Sequence, residues 1–299
     1  MTCHWKTWSS TKRSPCKSHN PAVRETEPHD NASGLPGLWP NLTAPARWRV
    51  VDLISDLHLQ AAEPATFAAW KGYMESTQAD AVFILGDLFE VWVGDDGLDE
   101  ALNGSPGFEW QCQQVMSNAA KRLSLFFMHG NRDFLLGDAF ARAAGATLLL
   151  DPSTLRFDDK TWLLTHGDTL CLADTAYQQF RRRVRSRAWQ DDFLSRPLAQ
   201  RREIARGLRQ QSEAIKAGAA PLVDIDIAAA CAWLDASGAS TLIHGHTHQP
   251  GQELLRPHSG APLQRLVLSD WDARATPPRL QVLRLSIGTA PKRVHLSGS

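Results

Sequence analysis

The 299-residue chain has few cysteines, no long apolar run and no charge bias, and each shortage excludes something. Its five cysteines, Cys3, Cys16, Cys112, Cys171 and Cys231, are odd in number and scattered, so no disulfide framework is expected. No hydrophobic stretch approaches the roughly 18–20 residues that span a bilayer, which argues against an integral membrane protein. Lys6, Lys12, Arg13 and Lys17 are not followed by an apolar segment, so no secretory signal is expected and a reducing, cytoplasmic setting is the default. Basic side chains number 32 and acidic ones 32, which argues against a partner held by bulk electrostatics. What is present is an ordinary 43% of hydrophobic residues, enough for a sizeable core and too many for wholesale disorder.

Residues 1–46 mix Ser, Thr, Pro, Asn and charges with neither a helical nor a strand period, and contain the breakers Pro36-Gly37 and Pro40. They read as a poorly ordered extension. Cys3, His4, Cys16 and His19 have zinc-ligand chemistry but lack a second paired knuckle.

From Arg47 onward a rhythm begins. Short β-rich runs at Val50–Ile54, Ala81–Leu85, Leu123–Met128, Thr161–Thr165, Thr241–Ile243 and Leu266–Leu268 alternate with longer stretches that include helical segments. This predicts a layered α/β or α+β sheet protein over residues 47–289, with 290–299 as a C-terminal tail. Between the fourth and fifth runs, about 169–220, spacing turns helical. Tyr177, Phe180, Val184 and Ala188 make one stripe, and Leu198, Ile204, Leu208 and Ile215 another, with Ser195 and Pro197 marking a helix start. Two helices inserted there would form a cap.

The ends of the runs carry the chemistry. The first is followed by Asp56-Leu57-His58, the second by Gly86-Asp87 and the third by Gly130-Asn131-Arg132-Asp133. The fourth leads to His166-Gly167-Asp168 and the fifth to Gly245-His246-Thr247-His248. Strands that deliver Asp, His and Asn at their carboxyl ends present a site along one sheet rim. Carboxylate and imidazole without thiolate suit Mn, Fe or Zn, and a carboxylate can bridge two ions. Asp56, His58, Asp87, Asn131, His166, His246 and His248 are enough ligands for a pair of metals about 3.5–4 Å apart, the spacing that clamps a phosphoryl group. Any one of these motifs alone reads more readily as a turn or a satisfied core histidine. Five in order, each after an apolar run, do not.

In that order the motifs resemble the calcineurin-like metallophosphoesterases over about residues 48–289. The resemblance implies a four-layer sandwich of two mixed sheets flanked by helices, with a helical cap insertion and a di-metal site at one rim. It implies that Asp56, His58 and His248 hold one divalent ion, Asn131, His166 and His246 the other, and that Asp87 bridges them, the usual ion being Mn2+. Arg132, the stretch from Gly167 to Arg181 and the insert narrow the resemblance to members that cleave an acylated UDP-sugar, UDP-2,3-diacylglucosamine, in lipid A biosynthesis. By that resemblance Arg132, Asp87, Asn131 and His246 are catalytic, and Asn131, Arg132, Asp174, Ser212, Lys216 and His246 meet substrate. The far end of the insert departs from the pattern: Ser212 fits, but Lys216 stands where an Asn is expected and Ala219 where a Lys is. A different nucleotide pyrophosphatase or phosphodiesterase, or a metal-bearing scaffold that binds without turnover, are the rival readings.

Arg132 carries its own argument. Many of these proteins have His after the Asn, placed to protonate a departing alkoxide, and arginine cannot give up a proton at neutral pH. A phosphate leaving group, with a second pKa of about 6, departs as an anion and needs charge neutralisation instead. Cleavage of a pyrophosphate fits Arg132, unless the residue merely pairs with Asp133 or Asp168.

The insert carries ten arginines against three acids over 181–209, a net +7. An anionic inner-membrane surface, met from the cytoplasmic side with Val184, Trp189 and Phe193 dipping into it, is one reading. A solvated helix face is the second. Nucleic acid, for which no motif is present, is not expected. A monomer is expected.

Overall fold

The computed structural model describes residues 39–98, 107–217, 223–256 and 262–296, with the side chains of 210–217 outside the description. Two six-stranded mixed sheets lie face to face. The first runs, edge to edge, β12 (Lys292–His295), β11 (Gln281–Ser286), β2 (Val50–Ile54), β3 (Ala81–Leu85), β4 (Ser124–Met128) and β5 (Ala146–Leu149). The second runs β1 (Asn41–Thr43), β6 (Ser153–Phe157), β7 (Lys160–Thr165), β8 (Thr241–His244), β10 (Leu263–Val267) and β9 (Gly251–Leu255). β2 to β5 pair in parallel, as do β7, β8 and β10, so their carboxyl ends share a rim.

Strand alternation divides the core. Val51, Leu53, Phe83, Leu85 and Phe126 point between the sheets and meet Leu155, Trp162, Leu164, Ile243 and Leu266. Their neighbours Ile54, Val82, Ile84, Leu125 and Phe127 point outward, under Trp70 and Met74 of α1 (Pro64–Ser76) and Cys112 and Met116 of α2 (Phe108–Ala119). On the far side of the second sheet, Ala230 and Leu234 of α7 (Ile227–Ser237) cover Leu163 and Leu242. Every residue of β3 is buried, because helices and a second sheet cover both its faces. The result is helix, sheet, sheet, helix: the four-layer arrangement that the family resemblance implies.

The borders differ from expectation. β1 pairs in parallel with β6, and Trp39 packs edge-on against Trp233 at 5.3 Å, so the fold begins before Arg47. Residues 1–38, with Cys3, His4, Cys16 and His19, lie outside the described residues. At the other end, β12 falls in what reads as a tail but pairs antiparallel with β11. Arg293 holds it there by donating to the carbonyls of Gly251 (2.5 Å) and Val267 (2.8 Å) in the opposite sheet. Both edge strands are short and polar, which removes the apolar alternation that would reveal them.

The insert has three helices rather than two: α4 (Thr175–Val184), α5 (Arg187–Leu194) and α6 (Leu198–Ala217). Val184 and Phe193 are buried, and Trp189 stacks on Phe193 at 4.8 Å while touching Phe134 of the main body. These three therefore face the protein, which corrects the expectation that they dip into a membrane: a short helix has one apolar stripe, and the body occupies it. α6 is fastened by buried Arg201, whose guanidinium donates to the Val93 carbonyl (2.5 Å) and grips both oxygens of Asp96.

Candidate metal centre

Backbone strain marks the rim. Seven described non-glycine residues have φ between 48° and 63°, and Asp56, His58, Asp87, His246 and His248 are five of them. A left-handed backbone is costly for such residues and persists where surrounding structure imposes it, most often at functional sites. Here the loops turn sharply as they leave β2, β3 and β8, which swings side chains over the sheet edge instead of along it. Glycines allow the loops to touch. A Cβ on Gly130 would sit 2.7 Å from Asp87 Cγ, and one on Gly245 2.8 Å from Ser55 Cβ.

All seven residues expected to ligate metal come together. His58 Nε2 and His248 Nε2 lie 3.3 Å apart, and His248 Nε2 is 3.3 Å from Asp56 Oδ1. On the other side, Asn131 Oδ1 is 3.0 Å from His166 Nε2 and 2.8 Å from His246 Nδ1. Between the two groups, Asp87 Oδ2 stands 3.9 Å from His58 Nε2 and 3.8 Å from His166 Nε2. Asp87 Oδ1 accepts the Arg132 backbone N–H at 2.8 Å, which directs the other oxygen into the gap. Asp56 borders both groups, its carboxylate lying within 4.8 Å of ligand atoms of His58 and His248 and, separately, of Asp87 and His166.

The surrounding groups set which imidazole nitrogen is left for a metal. His166 Nδ1 faces the Leu85 carbonyl at 2.9 Å, and a carbonyl only accepts, so Nδ1 donates and Nε2 is the nitrogen turned to the cluster, where a bound cation would displace its proton. His58 Nδ1 lies 2.9 Å from Glu90 Oε2, an ion-pair contact without hydrogen-bond alignment. His248 Nδ1 is 3.8 Å from Asp270 Oδ2, which Arg279 holds in place.

Electrostatics point to a cation. Burial pushes His166 down, but Asp87, Asp56 and Asp168 outweigh it and raise the imidazole to about 9. His58 is likewise raised against its burial by Glu90 and Asp87. Burial and then His166 press His246 down to about 3. Asp56, despite the upward push of burial, is held well below the ordinary carboxylate range by His248, His166 and His58. The buried carboxylates thus draw positive charge into the cluster. The donor set fits divalent ions: oxygens and nitrogens without thiolate, with neighbouring ligand atoms 2.8 to 3.9 Å apart around a common space.

The other expected site residues have mixed placements. Arg132 lies at the rim, and its Nη1 pairs with Glu90 Oε1 at 3.4 Å, not with Asp133 or Asp168. Asp133 is engaged by the backbone N–H groups of Gly130 (2.8 Å) and Leu88 (2.7 Å), and Asp168 by Arg181 (2.9 Å) and the Tyr177 hydroxyl (2.5 Å). Asp174 caps α4, accepting from Tyr177 N at 2.9 Å. Ser212 and Lys216 belong to α6, but their side chains lie outside the described residues. Tyr177 brings the insert over the centre, its ring stacked 6.1 Å from that of His246.

Two acids escape a reading of the sequence alone. Glu90 touches His58, Arg132 and, at 3.3 Å, Arg209 Nε of α6. Its only sequence signal is a position three residues beyond Asp87 in the same strand-end loop. Asp168 is the joint between β7 and α4, visible in the His166-Gly167-Asp168 motif but not assignable to a partner.

The family model described as calcineurin-like phosphoesterase matches residues 50–250. A UDP-2,3-diacylglucosamine hydrolase of Aromatoleum aromaticum is 44% identical over 224 residues, covering 73% of this chain and 87% of that one. Proteins of the same name from Chromohalobacter salexigens (43% over 227 residues, 73% and 87% covered) and Pseudomonas putida (41% over 225 residues, 74% and 91% covered) are similarly related.

Proposed function

The chain belongs to the calcineurin-like phosphoesterase family, and from that premise we propose that it hydrolyses the pyrophosphate bond of UDP-2,3-diacylglucosamine, releasing UMP and 2,3-diacylglucosamine 1-phosphate. The observation that carries the chemistry is Asp87 Oδ2, nearly equidistant from His58 and His166 at 3.9 and 3.8 Å, one imidazole from each ligand group. Asp56, His58 and His248 would hold one divalent ion, Asn131, His166 and His246 the other, with Asp87 shared. Mn2+ suits these oxygen and nitrogen donors. Bound there, the ions supply Lewis-acid stabilisation of the phosphoryl oxygens and a water of lowered pKa.

The residues do the rest. Asn131 and His246 orient the phosphoryl group over the cluster, and Arg132 neutralises charge on the phosphate that departs. Arg132 has five N–H donors, so its ion pair with Glu90 leaves others for substrate. Arginine in this place favours an anhydride over an alkyl ester, since no proton need be given to the leaving group. Tyr177 and the insert overhang the centre and exclude water from one side. Asp174, Ser212 and Lys216, at the two ends of the insert, are the sugar-side contacts we propose.

The acyl chains call for apolar surface beside the rim. Val91, Trp92 and Val93 form, with Ala199 of α6, the apolar wall of a cavity of about 460 Å³ between the body and the insert, which Glu109, Arg202 and Arg206 also line. No helix among the described residues is long and apolar enough to cross a membrane. Exposed Arg182, Arg183, Arg187 and Arg206 on the insert favour peripheral attachment to an anionic surface, now by charge rather than by the buried stripe.

The test is to incubate Mn2+-loaded protein with UDP-2,3-diacylglucosamine, with an unacylated UDP-sugar and with bis-p-nitrophenyl phosphate. Release of UMP from the acylated substrate, with little from the unacylated one, is the expected result. Turnover of bis-p-nitrophenyl phosphate alone would reject the substrate and leave only the phosphoesterase chemistry.

A further inference from the structure

Glu90 is an almost buried carboxylate whose two oxygens have different tasks. Oε2 lies 2.9 Å from His58 Nδ1, the nitrogen that points away from the ligand cluster. Oε1 collects two guanidinium groups, Arg132 Nη1 at 3.4 Å from the loop after β4 and Arg209 Nε at 3.3 Å from α6 of the insert. Its backbone N–H donates to the Leu59 carbonyl at 3.2 Å, which ties its loop to the one that bears Asp56 and His58. Three pieces of the molecule therefore meet on one side chain: a metal-type histidine, the arginine at the rim and the cap.

We propose that Glu90 is a positioning residue that couples the helical insert to the metal centre. The charge on Oε2 holds the Nδ1 side of the His58 ring, and through the shared oxygen Oε1 the carboxylate draws α6 and Arg132 to one point. Packing at Glu90 then sets where the insert sits relative to the ligands. The inference rests on the di-metal reading of the cluster and is independent of which phosphoester is cleaved.

The chemistry of the side chain separates the two tasks. Glu90→Gln keeps size and an oxygen for the arginines, but it removes the negative charge beside His58 Nδ1. Without that charge His58 loses the partner that orders its ring and makes Nε2 a stronger donor to a metal. Glu90→Ala removes both tasks, and Arg209→Ala removes the tether to the insert while leaving Glu90 beside His58.

The experiment measures Mn2+ affinity by titration of the full-length protein and amide hydrogen exchange of residues 198–209 in its metal-free form. Glu90→Gln is expected to weaken one of the two Mn2+ sites by about 10–100-fold with exchange in α6 unchanged. Arg209→Ala is expected to do the reverse, speeding exchange in α6 while both Mn2+ affinities stay as in the wild type. Glu90→Ala, where it folds, does both. Wild-type Mn2+ binding in Glu90→Gln, or unchanged α6 exchange in Arg209→Ala, overturns the proposal. Wild-type protein that takes up no Mn2+ at all overturns the di-metal reading instead, and the hydrogen-exchange arm still judges the tether.

Discussion

The imidazoles of His58 and His248 face each other with Nε2 atoms 3.3 Å apart, although 190 residues separate them in the chain. Two such nitrogens, beside the Asp56 carboxylate, make a common seat for one ion. His58→Ala, His248→Ala and the double variant are each expected to retain about one Mn2+ per chain, because all three damage the same seat. Metal analysis after gel filtration reads this directly, and stepwise loss in the double variant would show that the two histidines serve different ions.

Arg132→Ala is expected to lower kcat on a pyrophosphate substrate by roughly 10²–10³-fold, the cost of removing one preorganised charge-stabilising group. Its backbone N–H, the part that holds Asp87, survives the change, so Mn2+ content should remain at the wild-type level. An unchanged kcat would reduce Arg132 to a structural partner of Glu90.

Gly130→Ala tests the close approach of two loops. The added methyl would lie 2.7 Å from Asp87 Cγ and nearer still to Oδ1, and the neighbouring atoms include the Asp87 backbone nitrogen, which has nowhere to go. Overpacking of about 1–3 kcal/mol is expected, together with loss of Mn2+ binding as the Asp87 carboxylate is displaced. Chemical denaturation and metal titration measure the two effects, and tight metal binding would mean the loop yields more easily than its packing implies.

Asp151 offers a pH-dependent stability test at a carboxylate that borders the metal centre without being one of its expected ligands. Burial, reinforced by Asp168, raises its pKa above the ordinary carboxylate value. One oxygen accepts from Thr165 Oγ1 at 2.5 Å, and the other has no hydrogen-bond partner. With the folded pKa raised, the native state holds this proton more firmly than the unfolded chain. The contribution to stability is therefore full below the unfolded pKa and is lost as pH rises through the folded one. Asp151→Asn is expected to be more stable than wild type in urea at pH 7, with the advantage shrinking as pH falls toward 4. A gain that does not shrink would locate the effect in something other than ionisation.

The chemistry of the site was legible in the sequence: which residue types, in which order, and at the ends of which strands. Such information is local, because an apolar run predicts a strand and the Asp, His or Asn just beyond it must emerge at the strand's end. A layered sheet protein was legible for the same reason, since β-rich runs alternate with helical stretches, while the four layers came with the family resemblance. Tertiary structure alone decided the pairings. Arg132 meets Glu90 instead of Asp133, since Asp133 already accepts the N–H groups of Gly130 and Leu88. Trp189 and Phe193 turn toward the body because Phe134 and the main core stand under them. The edge strands β1 and β12 exist because partners from distant parts of the chain supply their hydrogen bonds. Each of these depends on side chains far apart in sequence competing for one space, a competition that periodicity does not record and only the packed chain resolves.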